Sequence, residues 1–259
     1  MPPKERAFRT QAIILRRADF GEADRLLTVF TPRYGKLRAI AKGARKPTAR
    51  KTGHVELFAR SDLLLHYGRE LLIVAQAEMV EPYLAVREDL TRAAYANYAA
   101  ELLDRFTTDE DETESAALFD LLEATLTRLC SAADLRIVAR TYEMRLLDLA
   151  GFRPELTRCV FCGEPTTAQD QFFSALEGGV ACPTCGAARE DVIAISRSAL
   201  HALRALQRES WERVQALRLS EPLHLEMEQV MQGYLIALLE RRLQSADFIR
   251  RLRREGQIG

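Results

Sequence analysis

The sequence has 259 residues, of which 47% are hydrophobic and 29% are charged, and this is the composition of a globular chain with ample material for a core. Its apolar runs fall far short of the roughly 18 residues that a transmembrane helix needs, and residues 1–6 lack the apolar stretch of a secretory signal, so we expect a cytoplasmic protein that binds no membrane. The formal net charge is zero, but residues 1–80 hold 16 basic and 8 acidic side chains, which leaves 21 basic and 29 acidic side chains for the remainder.

Residues 1–80 are predicted to form short strands. Segment 36–42 alternates, with Leu37, Ala39 and Ala41 on one face and mainly basic residues on the other, and a period of two is typical of a strand. The predicted strands are 7–16, 25–31, 36–42, 55–66 and 70–80. Five strands in so short a segment favour a small barrel, because closure leaves no exposed sheet edge.

The sequence after these strands has the spacing of amphipathic helices. The predicted helices are 88–106, 114–130, 134–150, 196–211 and 222–244. Asp134 can cap the third helix, and Gly151 stands where a helix commonly ends. We therefore divide the chain into a barrel domain at residues 1–80 and a helical domain at residues 81–259, with an insert at about 157–192.

The insert carries four cysteines in two Cys-x-x-Cys pairs. Cys159 and Cys162 form the first pair, Cys182 and Cys185 form the second, and a glycine that suits a tight turn follows each pair. Four thiolates at this spacing predict one tetrahedral, structural Zn²⁺. Disulfides are disfavoured in a cytoplasmic chain, and a thioredoxin-like pair needs a βαβ unit that the sequence lacks. An iron–sulfur cluster stays open as an alternative, although ferredoxin spacings differ from this one.

Residues 25–55 contain no acidic side chain. Their basic residues are Arg25, Arg33, Lys36, Arg38, Lys42, Arg45, Lys46, Arg50 and Lys51. A charge run is often only a solvated surface. Here no counter-charge is interleaved, and the alternation places Lys36, Arg38 and Lys42 on one strand face. A basic loop at 45–51 follows, so we expect this region to bind a nucleic-acid backbone with little sequence preference.

Two further features each leave two interpretations open. Phe20, Phe30 and Tyr34 are the aromatic residues near the basic stretch; they can stack on bases, although Phe30 suits the core equally well. A second basic cluster ends the chain, with Arg241, Arg242, Arg250, Arg251, Arg253 and Arg254. A solvated helix end and a nucleic-acid contact explain that cluster equally well.

No catalytic motif is found. The sequence has no phosphate-binding loop, dinucleotide-binding turn or nucleophile elbow of recognised spacing, so we do not expect an enzyme. Two other classes of function stay open: an RNA-binding or ribosome-associated protein with a barrel and a zinc site, and an enzyme of nucleic-acid metabolism whose thiolates hold an open zinc ion. Competition between single-stranded DNA and matched RNA distinguishes the first, and spectroscopy of the cobalt-substituted protein distinguishes the second.

Several segments, in the same order along the chain, resemble the RecO family of DNA repair proteins. They read GEADRL at 21–26, FT at 30–31, YGK at 34–36, AKGARKP at 41–47, RTYEMRLL at 140–147, AGF at 150–152 and Leu at 156. The four cysteines match the zinc-bearing members of the family. The resemblance covers most of residues 8–190 and implies an α+β multidomain protein: an N-terminal five-stranded OB-fold barrel followed by an all-helical domain with a four-cysteine zinc insert.

The resemblance also implies a non-enzymatic recombination mediator of the bacterial cytosol. Such a protein binds single- and double-stranded DNA, anneals complementary strands and acts with RecR to load RecA on single strands coated by single-strand-binding protein (SSB). The acidic C-terminal tail of SSB then binds the helical domain, and Arg140 lies in the matching helix. By the family's pattern the DNA surface comprises Lys36, Arg38, Lys42, Arg45, Lys46, Arg50 and Lys51. After Pro47 this chain has Thr48 and Ala49, where many members have a basic residue and a serine.

Overall fold

The computed structural model describes residues 7–46 and 52–258, which begin with five strands and continue mainly as helices. The first five strands are β1 (Ala7–Phe20), β2 (Asp24–Thr31), β3 (Gly35–Ala41), β4 (Arg60–His66) and β5 (Leu72–Glu81). The helices are α1 (Leu84–Glu88), α2 (Leu90–Phe106), α3 (Ser115–Ser131), α4 (Leu135–Leu149), α5 (Pro183–Ala187), α6 (Arg197–Arg208), α7 (Trp211–Val214), α8 (Glu221–Leu239) and α9 (Gln244–Arg254). Three shorter strands are β6 (Gln171–Ser174), β7 (Gly179–Ala181) and β8 (Val192–Ile195). Within the described residues, no helix is both long enough and apolar enough to cross a bilayer.

Strands β1 to β5 form a closed barrel in the order β1-β2-β3-β5-β4. β3 and β5 are parallel, and every other neighbouring pair is antiparallel. β1 pairs with β4 through its first half and with β2 through its second half, and a register shift between Ile14 and Arg16 accompanies the change of partner. This strand order is that of a five-stranded OB-fold and confirms the barrel that the sequence predicts.

The core of the barrel follows the alternation of its strands. In β3, Leu37, Ala39 and Ala41 are buried, whereas Arg38 between them is exposed. The buried core residues are Ala12, Ile14, Leu27, Val29, Leu37, Ala39, Ala41, Ala44, Val55, Leu63, Leu65 and Val74. The period of two therefore assigns the two faces of β3 correctly, and the outward face is free to carry polar side chains.

The helices begin and end close to their predicted positions, with one exception. The Asp134 carboxylate accepts hydrogen bonds from the backbone N–H groups of Arg136 and Ile137, at 3.0 and 3.1 Å, and so caps α4 as expected. Gly151 after this helix has φ +80°. The single helix predicted at 222–244 is wrong, because Glu240 adopts a left-handed conformation that ends α8 before α9 begins.

The chain divides into two compact units. The first is Met1–Ser131 together with Phe248–Gly259, and the second is Ala132–Asp247. Strands give way to helices after Glu81, near the predicted position, but α1, α2 and α3 lie in the same compact unit as the barrel. The second unit contains α4 to α8 and a small antiparallel sheet in the order β7-β6-β8, which lies largely within the predicted insert.

Candidate nucleic-acid interface and metal centre

The outer face of β1, β2 and β3 carries a row of polar side chains. Arg16 of β1 is paired with Thr28 of β2, and Thr28 is paired with Arg38 of β3. Paired residues point to the same face of a sheet, so two arginines flank one threonine across three strands. Both arginines are exposed, and the Arg16 side chain retains 68% of its accessible surface. The strands thus hold two guanidinium groups on one rigid face.

An apolar row lies beside this cationic row. Ala18, Leu26 and Ile40 are paired across the same three strands, and none of them is buried. Phe20 stands at the end of β1 and is 52% exposed. Bases stack on aromatic side chains while cations hold the phosphates, so the cationic row with Phe20 and apolar surface beside it suits a single-stranded nucleic acid.

A cleft of about 500 Å³ lies over these rows, and both the barrel and α2 line it. Its cations are Arg16, Arg17 and Arg38, and its carboxylates are Asp104 and Asp109. The cationic groups exceed the carboxylates by one, so the cleft attracts anions. We call it the cationic cleft.

Lys36 does not lie on the open face with the other basic residues, and that expectation is wrong. The Lys36 side chain is 9% exposed, and its Nζ donates to Asp104 Oδ1 at 3.0 Å and to the backbone oxygens of Asp104 and Thr107 at 2.8 and 2.7 Å. Asp109 Oδ1 is 3.7 Å away. The alternation points Lys36 outward from the barrel as predicted, but the end of α2 covers that point, so the ammonium group is held by protein oxygens.

The same contacts orient Arg16. Asp104 Oδ2 accepts a hydrogen bond from Arg16 Nη1 at 2.8 Å, so one carboxylate joins the buried lysine to the exposed arginine. Burial alone would raise the pKa of Asp104, but the hydrogen bond and charge of Lys36, with those of Arg16, hold this pKa below its usual value. Asp104 is therefore a fixed anion that positions Arg16 at the wall of the cationic cleft.

Two of the predicted DNA-binding residues are the most available for a ligand. Arg38 and Lys42 are exposed, and neither has an ion-pair or hydrogen-bond partner for its side chain among the residues that the structure describes. Their positive charges are thus uncompensated by direct contacts. Such groups can bind phosphate without first breaking a bond within the protein.

The remaining predicted residues differ in how the structure places them. Arg45 is exposed and lies 3.4 Å from Asp19, and its Nη1 donates to the carbonyl oxygen of Gly21 at 3.2 Å. Lys46 is also exposed, directly after Arg45. The other two predicted residues, Arg50 and Lys51, lie outside the described residues. The structure thus places Arg38, Lys42, Arg45 and Lys46 on exposed parts of the barrel, while Lys36 is apart from them.

The sequence prediction missed Arg16, because it ended the first strand at that residue. The structure continues β1 to Phe20, and the continued pairing with β2 sets Arg16 opposite Thr28. The alternation of Arg16, Ala18 and Phe20 with their neighbours is irregular in polarity, so it gives no clear strand signal. Only the register across β1, β2 and β3 reveals the row.

Arg25, which also belongs to the acid-free stretch, has a structural role. Glu56 accepts from Arg25 Nη1 at 3.1 Å and from Arg87 Nη2 at 3.3 Å, and Arg17 Nη1 is a third partner of the same carboxylate. Three guanidinium groups around one carboxylate leave a net positive charge next to the cationic cleft. Glu56 thereby joins the second half of β1 to β2 and α1.

The three aromatic residues near the basic stretch lie in different environments. Phe30 is buried in the barrel, as the core interpretation required. Tyr34 packs against Phe8, with 4.4 Å between the ring centroids. Phe20 therefore remains as the aromatic side chain beside the cationic row.

The four cysteines form a candidate metal centre in the second unit. The sulfur atoms of Cys159, Cys162, Cys182 and Cys185 all lie within 4.8 Å of one another, and the distance between Cys162 and Cys182 is 3.9 Å. Tetrahedral Zn²⁺ with bonds of about 2.3 Å requires sulfur atoms about 3.8 Å apart. The donor set and its spacing therefore fit one metal ion held by four thiolates.

Backbone geometry prepares this centre for metal. Burial alone would raise the pKa of Cys159, but hydrogen bonds from the backbone N–H groups of Cys182, Cys162 and Phe161 lower it to about 6. The Cys182 sulfur also accepts from the N–H of Cys185 at 3.5 Å, at the start of α5. Such N–H groups stabilise thiolate, which is the form that binds metal.

Arg140 is not exposed. It is 6% exposed, and its Nη2 lies 2.8 Å from Glu143 Oε1 one turn later in α4. Glu143 is completely buried. The pair thus lies inside the second unit, and the Arg140 side chain is not available at the surface.

The structure does not decide between a solvated helix end and a nucleic-acid contact for the C-terminal arginines. Arg253 Nη2 lies 3.4 Å from the Tyr95 hydroxyl oxygen, and the Arg251 guanidinium lies 5.4 Å from the centre of the Phe248 ring. Arg254 is exposed at the end of α9. These contacts fit a helix end that packs through part of its arginines.

Comparisons with known proteins agree with this architecture. The family described as Recombination protein O N terminal matches residues 6–83, and the family described as Recombination protein O C terminal matches residues 87–247. The first match covers the barrel. The second covers most of the helices and all four cysteines.

Curated relatives are similar over almost the whole chain. The DNA repair protein RecO of Roseiflexus sp. (strain RS-1) is 41% identical over 246 residues, which are 95% of this chain and 86% of the relative. The protein of the same name from Desulforamulus reducens is 35% identical over 95% of this chain and 94% of the relative. That of Pelotomaculum thermopropionicum is 37% identical over 94% of each.

Proposed function

The chain belongs to the RecO family of DNA repair proteins, with a role in DNA repair and recombination, and from this premise we propose that it is a non-enzymatic recombination mediator. In this proposal the barrel binds single- and double-stranded DNA, and the protein anneals complementary strands. It also acts with RecR to load RecA on single strands coated by SSB. The site of action is the bacterial cytosol, where the chromosome lies.

One observation carries the DNA-binding part of the proposal: the strand register sets Arg16, Thr28 and Arg38 in one row on the outer face, with both arginines exposed. Lys42 and the basic residues at 45–46 extend the positive charge past the end of β3. A surface of fixed cations next to an apolar strip binds sugar–phosphate chains with little regard to sequence. Arg38, Lys42, Arg45 and Lys46 are thus the predicted residues that we retain as exposed DNA contacts, with Arg16 added.

Arg50 and Lys51, which lie outside the described residues, stay in the proposal as basic residues that follow β3 in the sequence. Lys36 enters it with another role, because its ammonium group is held by Asp104. We assign Lys36 to the positioning of Arg16 through Asp104. This assignment separates residues that bind phosphate from the residue that holds the surface in shape.

Annealing requires no covalent step. Two single strands repel each other through their phosphates, and a cationic surface that binds both backbones reduces this repulsion. Contacts restricted to phosphates leave the base edges free for pairing. The exposed Phe20 can hold an unpaired base by stacking, and Ala18, Leu26 and Ile40 can make apolar contact with bases, until a complementary strand displaces the protein.

The metal centre has a structural role in this proposal. Cys159, Cys162, Cys182 and Cys185 would hold one Zn²⁺. Bound there, the ion would cross-link the turn at 159–163 to the start of α5, in a segment whose sheet has only three short strands. With four protein ligands no coordination position is left for a substrate, which argues against a zinc enzyme.

The protein partners in this proposal are those expected of a RecO family member. RecR and RecA are functional partners, and the acidic SSB tail is expected to bind the second unit. Since Arg140 is buried in a pair with Glu143, exposed arginines of that unit are the candidates for the tail's carboxylates. An acidic peptide is recognised by arginine through charge-assisted hydrogen bonds.

The test is annealing of complementary oligonucleotides coated with SSB, with and without RecR. The intact protein is expected to accelerate annealing, and Arg16→Gln combined with Arg38→Gln is expected to abolish most of the acceleration. Competition between single-stranded DNA and RNA of the same sequence accompanies it. Acceleration that survives the double substitution contradicts the proposed surface, and a clear preference for RNA contradicts the proposed substrate.

A further inference from the structure

A second cleft, of about 510 Å³, adjoins the cationic cleft on the same barrel. Arg38 and Asp109 line both of them. The second cleft differs in chemistry, because aromatic rings and carboxylates dominate its walls. We call it the aromatic–acidic cleft.

Three aromatic side chains form one side of this cleft. The ring centres of Phe8 and Tyr34 are 4.4 Å apart, and those of Phe8 and Tyr67 are 5.5 Å apart. Tyr67 is 62% exposed. The guanidinium of Arg33 already lies 5.6 Å from the centre of the Tyr34 ring, so the cluster is able to receive a cation on an aromatic face.

The carboxylates of the cleft are in excess of its cations. They belong to Glu70, Asp109, Glu110 and Glu112, against Arg38 and Arg69, which gives a net charge of −2. Asp109 faces Lys36 at 3.7 Å, but Glu70, Glu110 and Glu112 have no cationic partner in the described part of the chain. A nucleic-acid backbone is repelled by such a site, whereas lysine and arginine side chains are attracted to it.

Backbone contacts fix the shape of the cleft. The N–H of Glu110 donates to the carbonyl oxygen of Lys36 at 2.9 Å, which holds residues 109–112, the acidic segment, against the start of β3. A Cβ on Gly35 would lie 1.9 Å from the carbonyl oxygen of Asp111, and a Cβ on Gly68 would lie 2.1 Å from that of Leu71. Both walls therefore depend on a close backbone approach that only glycine permits. A site formed in advance in this way loses little entropy when it binds.

From this geometry we propose that the aromatic–acidic cleft is a docking site for an extended, cationic segment of a partner protein. An arginine or lysine of that segment lies on the exposed face of Tyr67, as Arg33 lies on Tyr34. Glu110 and Glu112 pair with its charges. Charge complementarity and the free tyrosine face together select this partner over DNA.

The shared residues predict coupling between the two clefts, and this part rests on the proposed function. A cationic segment in the aromatic–acidic cleft neutralises Asp109, so Arg38 becomes more attractive to phosphate on its other side. Coupling of this kind is reciprocal: DNA bound at Arg38 removes a repulsion for the cationic segment. The protein then binds DNA and its partner more tightly together than apart.

The experiment uses the full chain and a fluorescent nine-residue peptide in which arginine alternates with leucine, with the glutamate version of the same peptide as a control. Tyr67→Ala, and Glu110→Gln with Glu112→Gln, are each expected to weaken binding of the arginine peptide about threefold to tenfold. Tyr67→Phe keeps the ring and is expected to bind as the parent does. Glu88→Gln with Asp120→Asn makes the same charge change at exposed positions outside the cleft and is expected to stay within about twofold.

Several outcomes would overturn the proposal. Absence of arginine-peptide binding, or binding that the cleft variants leave unchanged, contradicts it. Weaker binding of single-stranded DNA by Tyr67→Ala, with peptide binding unchanged, identifies the rings as a platform for bases instead. Self-association of the parent that Tyr67→Ala abolishes identifies a second copy of this chain as the occupant.

The coupling is measured without adding peptide to DNA, since the two bind each other directly. Asp109→Asn is expected to bind single-stranded DNA more tightly, and Arg38→Gln is expected to bind the arginine peptide more tightly, each by about twofold. Unchanged affinities contradict the coupling. The peptide measurements stand apart from DNA binding, so a protein that binds peptide but no DNA refutes the proposed function and leaves the docking site supported.

Discussion

The Nζ of Lys36 lies 3.0 Å from Oδ1 of Asp104, although 68 residues separate them in the chain. A basic residue of the acid-free stretch is thus neutralised by a carboxylate of α2. Asp104 in turn holds Arg16 at 2.8 Å, at the edge of the exposed row. The pair therefore divides the basic stretch into a structural lysine and exposed cations.

Replacement of Lys36 by glutamine is expected to act on stability first. The substitution removes the buried cation of Asp104, leaves that carboxylate with Arg16 alone and takes the ammonium donor from the carbonyl oxygens of Asp104 and Thr107, which together cost about 3 kcal/mol of the free energy of unfolding. Arg38→Gln removes an exposed cation without such a partner and is expected to change stability by less than about 0.5 kcal/mol. Urea unfolding of both variants measures the difference. Equal stabilities contradict the assigned role of Lys36.

The same pair predicts how stability depends on pH. The pKa of Asp104 is lower in the folded protein than in the unfolded chain, so the pair stabilises the protein above the unfolded pKa, and this stabilisation is lost as the pH falls through the folded pKa. In Lys36→Gln the lowering by lysine is absent, so the folded pKa of Asp104 lies closer to its unfolded value and the loss of stability on acidification is expected to be smaller. Unfolding free energies measured between pH 6 and pH 3 test this. Parallel profiles for parent and variant would mean that the pair is not formed in solution.

The cationic row predicts how DNA binding depends on salt concentration. Arg16→Gln with Arg38→Gln removes two phosphate contacts, so the slope of log K for single-stranded DNA against log salt is expected to become shallower by about 1.4. Arg213→Gln with Arg218→Gln changes the same charge at exposed positions of the second unit and is expected to leave the slope unaltered. Fluorescence anisotropy over a range of salt concentrations gives both slopes. If the control substitutions make the slope shallower by as much as the test substitutions do, DNA binds through the overall charge of the protein alone.

The cysteine cluster predicts the metal content. Cys159→Ser and Cys182→Ser each remove one thiolate, and the bound zinc is expected to fall from one equivalent to almost none, with unfolding of the insert at lower temperature. Cys130→Ser is the matched control, because Cys130 lies outside the cluster. Elemental analysis of the purified proteins measures the metal and identifies it. One equivalent of zinc retained in Cys159→Ser excludes that ligand, and iron in the parent excludes zinc.

Two glycines with similar backbone angles predict different costs for alanine. Gly35 has φ +59° and Gly43 has φ +69°, but a Cβ meets the Asp111 carbonyl oxygen at Gly35 and open space at Gly43. Gly43→Ala is expected to cost about 1 kcal/mol, the price of the left-handed conformation. Gly35→Ala has to displace the acidic segment as well and is expected to cost clearly more. Equal costs in urea unfolding would show that the segment does not pack on Gly35.

The sequence alone predicts those parts of the site that depend on local patterns. The alternation in 36–42 assigns the inward residues Leu37, Ala39 and Ala41, and the spacing of the four cysteines predicts their cluster. Both patterns are set by the geometry of a few neighbouring residues. They need no knowledge of distant segments.

The parts that the sequence does not predict depend on distant contacts. The partner of Lys36 is Asp104 on α2, and no local feature of the sequence around Asp104 indicates that its side chain contacts the barrel. The row of Arg16 and Arg38 exists only through the register of three strands. Charge counting therefore finds the basic region but cannot separate its buried, structural cation from its exposed cations.

The location of DNA on the protein tests the central claim most directly. Single-stranded DNA that carries 5-iodouracil is cross-linked to the full chain by light, and the modified peptides are identified by mass spectrometry. We predict cross-links on the outer face of β1, β2 and β3, with Phe20 as the principal site. Cross-links confined to the second unit, Ala132–Asp247, would contradict the account.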